Sequence, residues 1–333
     1  MAETKHRETR ETPPPTLAPA APPSVLHQLN VSNRRLERLL QNLRNEHDAD
    51  SELRDIAGEV VRAVDLNPDI ALACILLCQI AGSYAVRHCI ETAVVVVVLS
   101  RSLGKADADT LTVTAAALTM NVGMLRHHES FQNKHTLSSE ERAIVRRHPE
   151  DSVDLLKSAG IDDEEWISCV LLHHENDDGS GYPAGVASPR VTLNAKLLSL
   201  ADRYCAQVSA RNYRKSVLPD RALRNLIEDA EAPVDPALAR QFQRELGDYP
   251  PGCLVRLAGG EIGVVSHRLA GAAAPRVHRL RDAAGAPLPP QPSPSQPPVA
   301  DADVGNAIAE ALSEDQAAIR FSMKQIWGAQ ASL

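Results

Sequence analysis

The spacing of apolar and polar residues predicts a helix-rich chain from Ser24 to about residue 232. The first amphipathic helix follows from four leucines on one helix face, with charged residues on the other: Leu36, Leu39, Leu40 and Leu43. A second helix is predicted over 51–66. A third begins at Asn67 and Pro68, because proline is tolerated in the first turn of a helix.

The most apolar run, AVVVVVL at 93–99, has the composition of a strand and the length of a helix. Valine favours strands by propensity. The apolar segment nevertheless continues from His88 to Leu103 without a turn signal, which is longer than a typical strand. We therefore predict a buried helix, and the run is too short to span a bilayer.

Three further helices are predicted to carry polar residues in apolar surroundings. The helix over 136–149 starts at Ser138 or Ser139, either of which can cap a helix with acidic residues in its first turn. An acidic start also introduces the helix that ends in HHE at 173–175. The segment NAKLLSLADRYCAQVS is an apolar helix with one inward-facing carboxylate, Asp202.

After about residue 232 the pattern of apolar and polar residues changes. CLVRLAGGEIGVVSHR alternates apolar and polar residues around Gly259 and Gly260, which predicts a β-hairpin, and RVHRL adds a third short strand. Together these patterns predict a mainly α protein, a helical bundle with a small C-terminal β-hairpin extension. Its predicted segments are a disordered Pro-rich tail at 1–23, a helical segment at 24–79, a main domain at 80–232, the β extension at 250–282, a Pro-rich linker at 285–300 and a C-terminal helix at 301–333, amphipathic over 303–327.

Composition narrows the class of protein. Of the 333 residues, 44% are apolar and only 3% are aromatic, so the core is predicted to be aliphatic. The formal net charge of −8 weighs against a general DNA binder, because phosphate binding needs clustered positive charge. The six cysteines form no C-x-x-C pair and are predicted to be buried thiols. With no visible secretory signal, we expect a cytoplasmic protein.

Five residues interrupt apolar patterns at helices: His88, His148, His173, His174 and Asp202. A carboxylate without a partner is costly inside an apolar helix. Adjacent histidines on a helix point about 100° apart, so they can address two metals, or one metal and one hydrogen-bond partner. Imidazole and carboxylate ligands suit Fe, Mn, Ni or Zn. The pattern predicts a metal site assembled inside a helical bundle.

The segment HHENDDGSGYP, 173–183, resembles the signature of the HD-GYP domain, the branch of the HD phosphohydrolase superfamily that hydrolyses cyclic di-GMP. His148-Pro149 resembles the His-Pro of that family, and His88 resembles its first histidine. LLSLADRYCAQVSARNYRKS resembles its Asp-containing helix and the Arg-rich segment that follows. The motifs occur in the family's order over about 80–225, and they imply an HD-type helical bundle.

The resemblance implies a role for individual residues. The ligands of two or three divalent ions, Fe, Mn or similar, would be His88, His148, His173, His174 and Asp202, and the ions would activate water for attack on a phosphodiester. The implied substrate-binding residues are Asp178, Gly179, Gly181, Tyr182, Pro183, Arg211, Arg214 and Lys215. An arginine fork suits phosphate, although a solvated basic helix end is an alternative reading of the last three.

The chain departs from the family at the doublet that gives the superfamily its name. Where His-Asp is normally followed by Ile-Gly-Lys, this chain has Met120-Asn121 and then Val-Gly-Met, ending at Met124. Tyr84 stands where the family often has an acidic ligand. Asn121 is neutral and Met120 is a soft thioether, so both are poor substitutes in a site for hard ions. Metal occupancy is therefore predicted to be reduced.

Two nearby histidines, His127 and His128, are the nearest replacements for the lost ligands. They follow Met124 by one to two turns and lie in a charged run, RHHES, that predicts an exit to the surface. We therefore expect that they do not complete the site.

Three functions remain open from the sequence. The favoured one is a degenerate HD-GYP domain that is catalytically weak or inactive and acts in cyclic di-GMP signalling. The others are an active phosphodiesterase with a reduced metal site and a metal-free interaction scaffold. Cyclic di-GMP or a related nucleotide and protein partners are expected, without DNA or membrane. The leucine helix at 36–43 and the final helix suggest dimerisation or docking, with packing on the domain as the alternative.

Overall fold

The computed structural model describes residues 23–132, 134, 136–209, 216–229, 231–268, 274–289 and 307–333. The predicted tail at 1–23 lies outside these residues except for its last position, and so does most of the predicted linker at 285–300. Within the described part of the chain, none of the helices combines the length and apolar character needed to cross a membrane.

Three helices form the N-terminal segment: α1 (Val25–Gln41), α2 (Ala49–Leu66) and α3 (Pro68–Leu76). The Ser24 hydroxyl accepts a hydrogen bond from the amide of His27 and so caps α1. Asn67 caps α3 in the same way, which confirms the predicted start at Asn67-Pro68. The four leucines of the predicted helix face are buried inside the protein's own core, so ordinary packing occupies the surface that dimerisation would need.

Eight helices form the main bundle: α4 (Tyr84–Ser102), α5 (Asp107–Thr119), α6 (Leu125–Gln132), α7 (Ser139–Ser158), α8 (Glu164–Leu172), α9 (Leu193–Val208), α10 (Pro219–Glu228) and α11 (Pro236–Leu246). The central element is α4, which contacts α1, α2, α5, α9 and α11. Its valine run is helical and fully buried, as length rather than propensity predicts. Ser138 caps α7 through a capping box with Glu141.

The β extension is a four-stranded antiparallel sheet rather than a hairpin. Its strands are β1 (Leu254–Leu257), β2 (Ile262–His267), β3 (Arg276–Arg281) and β4 (Ile308–Leu312), in the order β3-β2-β1-β4. The third strand predicted from RVHRL is β3. The sheet contacts the bundle through β2 and α3.

The predicted helix at 303–327 is wrong in the described residues. In its place are β4 and two short helices, α12 (Glu314–Ala317) and α13 (Met323–Trp327). The strand forms because β4 pairs with β1, which lies far away in sequence and supplies hydrogen bonds that local periodicity cannot reveal. Two capping boxes, Ser313 with Gln316 and Ser322 with Gln325, then begin separate helices.

The end of the chain is fastened to its first helix. The Ser24 hydroxyl lies within hydrogen-bonding distance of the carbonyl oxygens of Gln330 and Ser332. The indole of Trp327 donates a 2.8 Å hydrogen bond to the carbonyl oxygen of Ser266 in β2. The C-terminal segment therefore joins the sheet to α1.

Candidate metal centre

Three of the predicted ligands meet at one point of the bundle. His148 lies in the middle of α7, and His173 and His174 follow the last residue of α8. One ring nitrogen from each histidine lies within 4.8 Å of the others. His148 and His173 are fully buried, and His174 is half-buried. The three imidazoles form the candidate metal centre.

The hydrogen bonds of His148 and His173 fix which ring nitrogen carries the proton. Nδ1 of His148 donates to the carbonyl oxygen of Val145 at 2.6 Å, and Nδ1 of His173 donates to that of Val170 at 2.7 Å. A carbonyl oxygen can only accept, so each Nδ1 must be protonated. Burial lowers the pKa of His173, which favours the neutral ring with a free lone pair on Nε2.

The two Nε2 atoms lie 3.2 Å apart. When both rings are neutral with the proton on Nδ1, both Nε2 atoms are acceptors and two lone pairs face each other. A cation between them removes this repulsion. With metal–nitrogen bonds of about 2.0–2.1 Å, two imidazoles on one ion have about this separation. The pair therefore fits a bound metal ion, with His174 as a third ligand.

His174 is prepared for the same role by its surroundings. Burial, together with the neighbouring rings of His173 and His148, holds the pKa of His174 well below its usual value. Its ring stacks on that of Tyr182, with centroids 4.7 Å apart and planes 25° apart. Burial raises the pKa of Tyr182, so its hydroxyl stays protonated. Tyr182 thus forms a neutral wall beside the centre.

The other two predicted ligands, His88 and Asp202, are bonded to each other. Nε2 of His88 lies 2.7 Å from Oδ1 of Asp202, and both residues are buried. Burial alone would raise the pKa of Asp202, but the hydrogen bond from His88 and the nearby histidines lower it well below its usual value. The ring of Tyr84 stacks on His88 at 5.5 Å, in the position where the resemblance places an acidic ligand.

The segment that replaces the His-Asp doublet lies between the helices that carry His88 and His148. The backbone of Asn121 hydrogen-bonds to the thiol of Cys89, next to His88. Gly123 packs so closely on the backbone of His148 and Ser152 that a Cβ there would collide with it. Ser152 ties the turn down, because its hydroxyl donates to the carbonyl oxygen of Met120 and accepts from the amide of Gly123.

At this turn Met120 is fully buried in the apolar core, and Met124 is half-buried. Asn121 is only 3% exposed, and its side-chain oxygen has no hydrogen-bond partner among the described residues. A buried amide oxygen without a partner is costly, and a bound ion or water would satisfy it. Asn121 thus offers an uncharged oxygen at the position where the resemblance places an aspartate.

The Gly-rich loop after the histidines is held by Glu175, which sequence reasoning missed. Its buried carboxylate accepts hydrogen bonds of 2.7, 2.9 and 3.1 Å from the amides of Ala184, Gly185 and Val186. Its place directly after the two histidines was the available signal. By holding the loop, Glu175 positions Tyr182 against His174.

The loop residues predicted to bind substrate are placed differently from one another. Tyr182 is beside the centre, and Pro183 follows it through a cis peptide bond. Gly181 must be glycine, because a Cβ would collide with the backbone of residues 174–176. Gly179 has a φ of 80°, and Asp178 is exposed and accepts from the amide of Ser180 at 2.9 Å. Asp178 thus shapes the turn from outside.

The predicted basic residues Arg211, Arg214 and Lys215 lie outside the described residues. The described residue before that gap, Ser209, donates a hydrogen bond from its hydroxyl to Glu91. Glu91 is a buried carboxylate one turn after His88, and burial raises its pKa against the opposing effect of Arg87. Glu91, a charge within an apolar run, was also missed.

His127 does not contribute to the centre. It is exposed on α6 and stacks on Phe131, with ring centroids 5.9 Å apart. The side chain of His128 lies outside the described part of the structure.

Comparison with known proteins places the bundle in a class. A family model described as an HD domain matches residues 76–238. An HDGYP protein from Bdellovibrio bacteriovorus has a similar structure, with a TM-score of 0.53 and 20% identity, covering 65% of this chain and 69% of that one. That likeness concerns the fold alone.

Curated phosphodiesterases are similar to this chain in sequence. A cyclic di-GMP phosphodiesterase of Pseudomonas aeruginosa is 30% identical over 212 residues, which are 63% of this chain and 51% of the relative. One of Borreliella burgdorferi is 24% identical over 188 residues, 56% and 49% of the two chains. A 3'3'-cGAMP-specific phosphodiesterase of Vibrio cholerae is 27% identical over 168 residues, 50% and 36% of the two chains.

This chain is therefore an HD-domain protein. More narrowly, the sequence relatives support an HD-GYP domain within it. It spans about half the length of the first two curated relatives.

Proposed function

We propose that this chain is a regulatory HD-GYP protein that holds one divalent metal ion and a cyclic dinucleotide, cyclic di-GMP or a close relative, and hydrolyses it weakly or not at all. The observation that carries the proposal is the facing pair of Nε2 atoms of His148 and His173, 3.2 Å apart with both Nδ1 protons directed to carbonyl oxygens. An ion between them resolves the contact between two lone pairs.

The residues that would hold the ion are His148, His173 and His174, with the buried side-chain oxygen of Asn121 as a candidate for a neutral contribution. Three neutral imidazoles suit Zn, Fe, Mn or Ni. When bound, such an ion would supply Lewis acidity to a phosphate oxygen or to water. The protein's own part is to orient His148 and His173 through the two backbone acceptors, and to favour the neutral form of His173 and His174 through burial.

Weak hydrolysis follows from the other half of the site. A two-metal site stabilises the attacking and leaving oxygens together, which needs a second set of ligands and a shared anion. Here the second set is reduced to His88 and Asp202, which hydrogen-bond to each other. Met120 is buried in the core and Asn121 brings no charge. Loss of supporting residues around metal ligands alone costs about 10–100-fold, so loss of the ligands themselves costs more.

The proposed nucleotide class rests on the relatives' names and on the rim of the centre. The curated relatives are phosphodiesterases for cyclic di-GMP or 3'3'-cGAMP. At the rim, the guanidinium of Arg146 lies 5.0 Å from the centre of the Tyr182 ring, and Arg146 is exposed. A flat aromatic wall with an arginine beside it suits a base and a phosphate. Sequence reasoning did not select Arg146.

The experiment measures metal, binding and turnover on the same full-length protein. We expect roughly one ion per chain by elemental analysis, cyclic di-GMP binding by calorimetry, and little linear product by chromatography. The His173→Ala variant should lose the metal. Two ions per chain with rapid hydrolysis would establish an active phosphodiesterase instead. Absence of both metal and nucleotide binding would favour the metal-free scaffold.

A further inference from the structure

A cavity of about 490 Å³ adjoins the turn that carries Asn121. Its walls come from the end of α1, the segment 42–45, the start of α4 and the residues from 122 to 127. This volume is within the range of small-molecule sites, which is about 300–1,000 Å³. The cavity lies where the N-terminal helices meet the HD domain, apart from the three histidines.

The charged side chains that line the cavity are mostly cationic. Arg44 and Arg126 contribute guanidinium groups, and Glu37 contributes the opposing carboxylate. Several arginines of the protein form ion pairs with acidic residues, as Arg54 does with Asp50 and Asp163. By contrast, within the described residues neither Arg44 nor Arg126 has a carboxylate partner. Two uncommitted guanidinium groups in one cavity can converge on an anion.

The cavity shares a wall with the metal centre. Val122 and Gly123 line the cavity, and Gly123 packs directly against the backbone of His148. Asn121 is the residue immediately before this wall. A ligand in the cavity therefore presses on the same turn that packs on a predicted metal ligand.

From these observations we infer that the cavity is a second ligand site, which binds a small organic anion between Arg44 and Arg126. Glu37 would accept a hydrogen bond from a hydroxyl group of the ligand, since a carboxylate is an acceptor only. A phosphate and a carboxylate share the chemistry that the two guanidinium groups recognise. This site is separate from the nucleotide site and does not depend on whether that site binds metal.

The test is calorimetric titration of the full-length protein with two probes, glycerol 3-phosphate and malate, which separate phosphate from carboxylate ligands. We expect one of them to bind, and binding to weaken at least about tenfold in Arg44→Ala and in Arg126→Ala, because a hydrogen bond to a charged group contributes roughly that much. Arg34→Ala is the matched control, since Arg34 is an exposed arginine of α1 that does not line the cavity.

All three arginines in the test are exposed, so their substitution should leave the fold intact. Equal binding in the wild type, the two cavity variants and the control would place the anion elsewhere and overturn the inference. Absence of binding by either probe at millimolar concentration would overturn it as well. Neither result bears on the three histidines, whose test is metal content.

Discussion

His88 and Asp202 are 114 residues apart in the chain, yet Nε2 of one lies 2.7 Å from Oδ1 of the other. The resemblance to HD-GYP proteins predicts that both residues are metal ligands. In this structure each is the other's partner through one atom, while the buried Nδ1 of His88 has no hydrogen-bond partner among the described residues. In the three-histidine group, the facing Nε2 atoms of His148 and His173 lie 3.2 Å apart. The site is therefore divided into a group of three imidazoles and a hydrogen-bonded His88–Asp202 pair.

Restoring the doublet should restore the second half. In the triple variant Met120→His, Asn121→Asp, Met124→Lys, the new anion should draw a second ion and release Asp202 from His88. We expect metal content to rise from roughly one to two ions per chain by elemental analysis, with increased hydrolysis of cyclic di-GMP. Met124→Lys alone is the control. Equal metal in the wild type and the triple variant would show that the doublet is not what limits binding.

Removing one of the three histidines should abolish metal binding. His148→Ala takes away one of the two facing nitrogens. We expect the affinity for the metal ion to fall by about 10–100-fold or more, measured by titrating metal into protein that has first been stripped with a chelator. His127→Ala is the matched control, because His127 is exposed on a neighbouring helix. A comparable loss in the control would mean that His127 takes part in the site after all.

The carboxylate of Glu175 should stabilise the protein by holding the loop. Glu175→Gln replaces one acceptor oxygen by a donor that faces backbone amides. We expect the free energy of unfolding to fall by about 1–3 kcal/mol in urea denaturation, the cost of leaving buried groups without a partner. The control Glu150→Gln, at an exposed position of α7, should change it by less than about 0.5 kcal/mol. Similar values for the two variants would contradict the bracing role of Glu175.

Acid should weaken the start of α8 through Asp163. Burial would raise the pKa of Asp163, but the ion pair with Arg54 at 2.9 Å and the cap on the amide of Trp166 lower it. A carboxyl with a lowered pKa adds stability above its unfolded pKa of about 3.9, and this is lost as pH falls through the folded value. Asp163→Asn keeps a capping side chain but not the charge.

The corresponding measurement is the urea midpoint from pH 7 to acid. The wild type should exceed Asp163→Asn at neutral pH, and the difference should vanish once Asp163 is protonated. Asp162→Asn, at the exposed neighbouring position, should follow the wild type throughout. A difference that stays constant down to acid pH would show that charge is not the cause.

Local signals in the sequence were sufficient for most helices. The length of the segment around 93–99 correctly outweighed the strand propensity of its valines. Ser138 and Asn67 marked helix starts because capping chemistry is local. The same reasoning failed at 308–312, where the partner of the strand is β1 and lies more than fifty residues earlier. Pairing at such a distance leaves no trace in periodicity.

The candidate site was predictable as a set of residues but not as an arrangement. The resemblance brought together four histidines and Asp202, and the bundle places three of them around one point. The hydrogen bond between His88 and Asp202 depends on the packing of α4 against α9. The spacing of residues along the sequence does not reveal that packing. Glu175 was missed because its partners are backbone amides, and these have no sequence identity.

The hydrogen bonds between Ser24 and the C-terminal residues connect the end of the chain mechanically to the cavity. One end of the seventeen-residue α1 is tied to Gln330 and Ser332, and its other end, at Glu37 and Gln41, forms a wall of the cavity. A partner that bound the C-terminal segment would therefore displace α1. The opposite end of α1 lines the same cavity as Val122 and Gly123, so such a movement would reach the turn that packs on the backbone of His148.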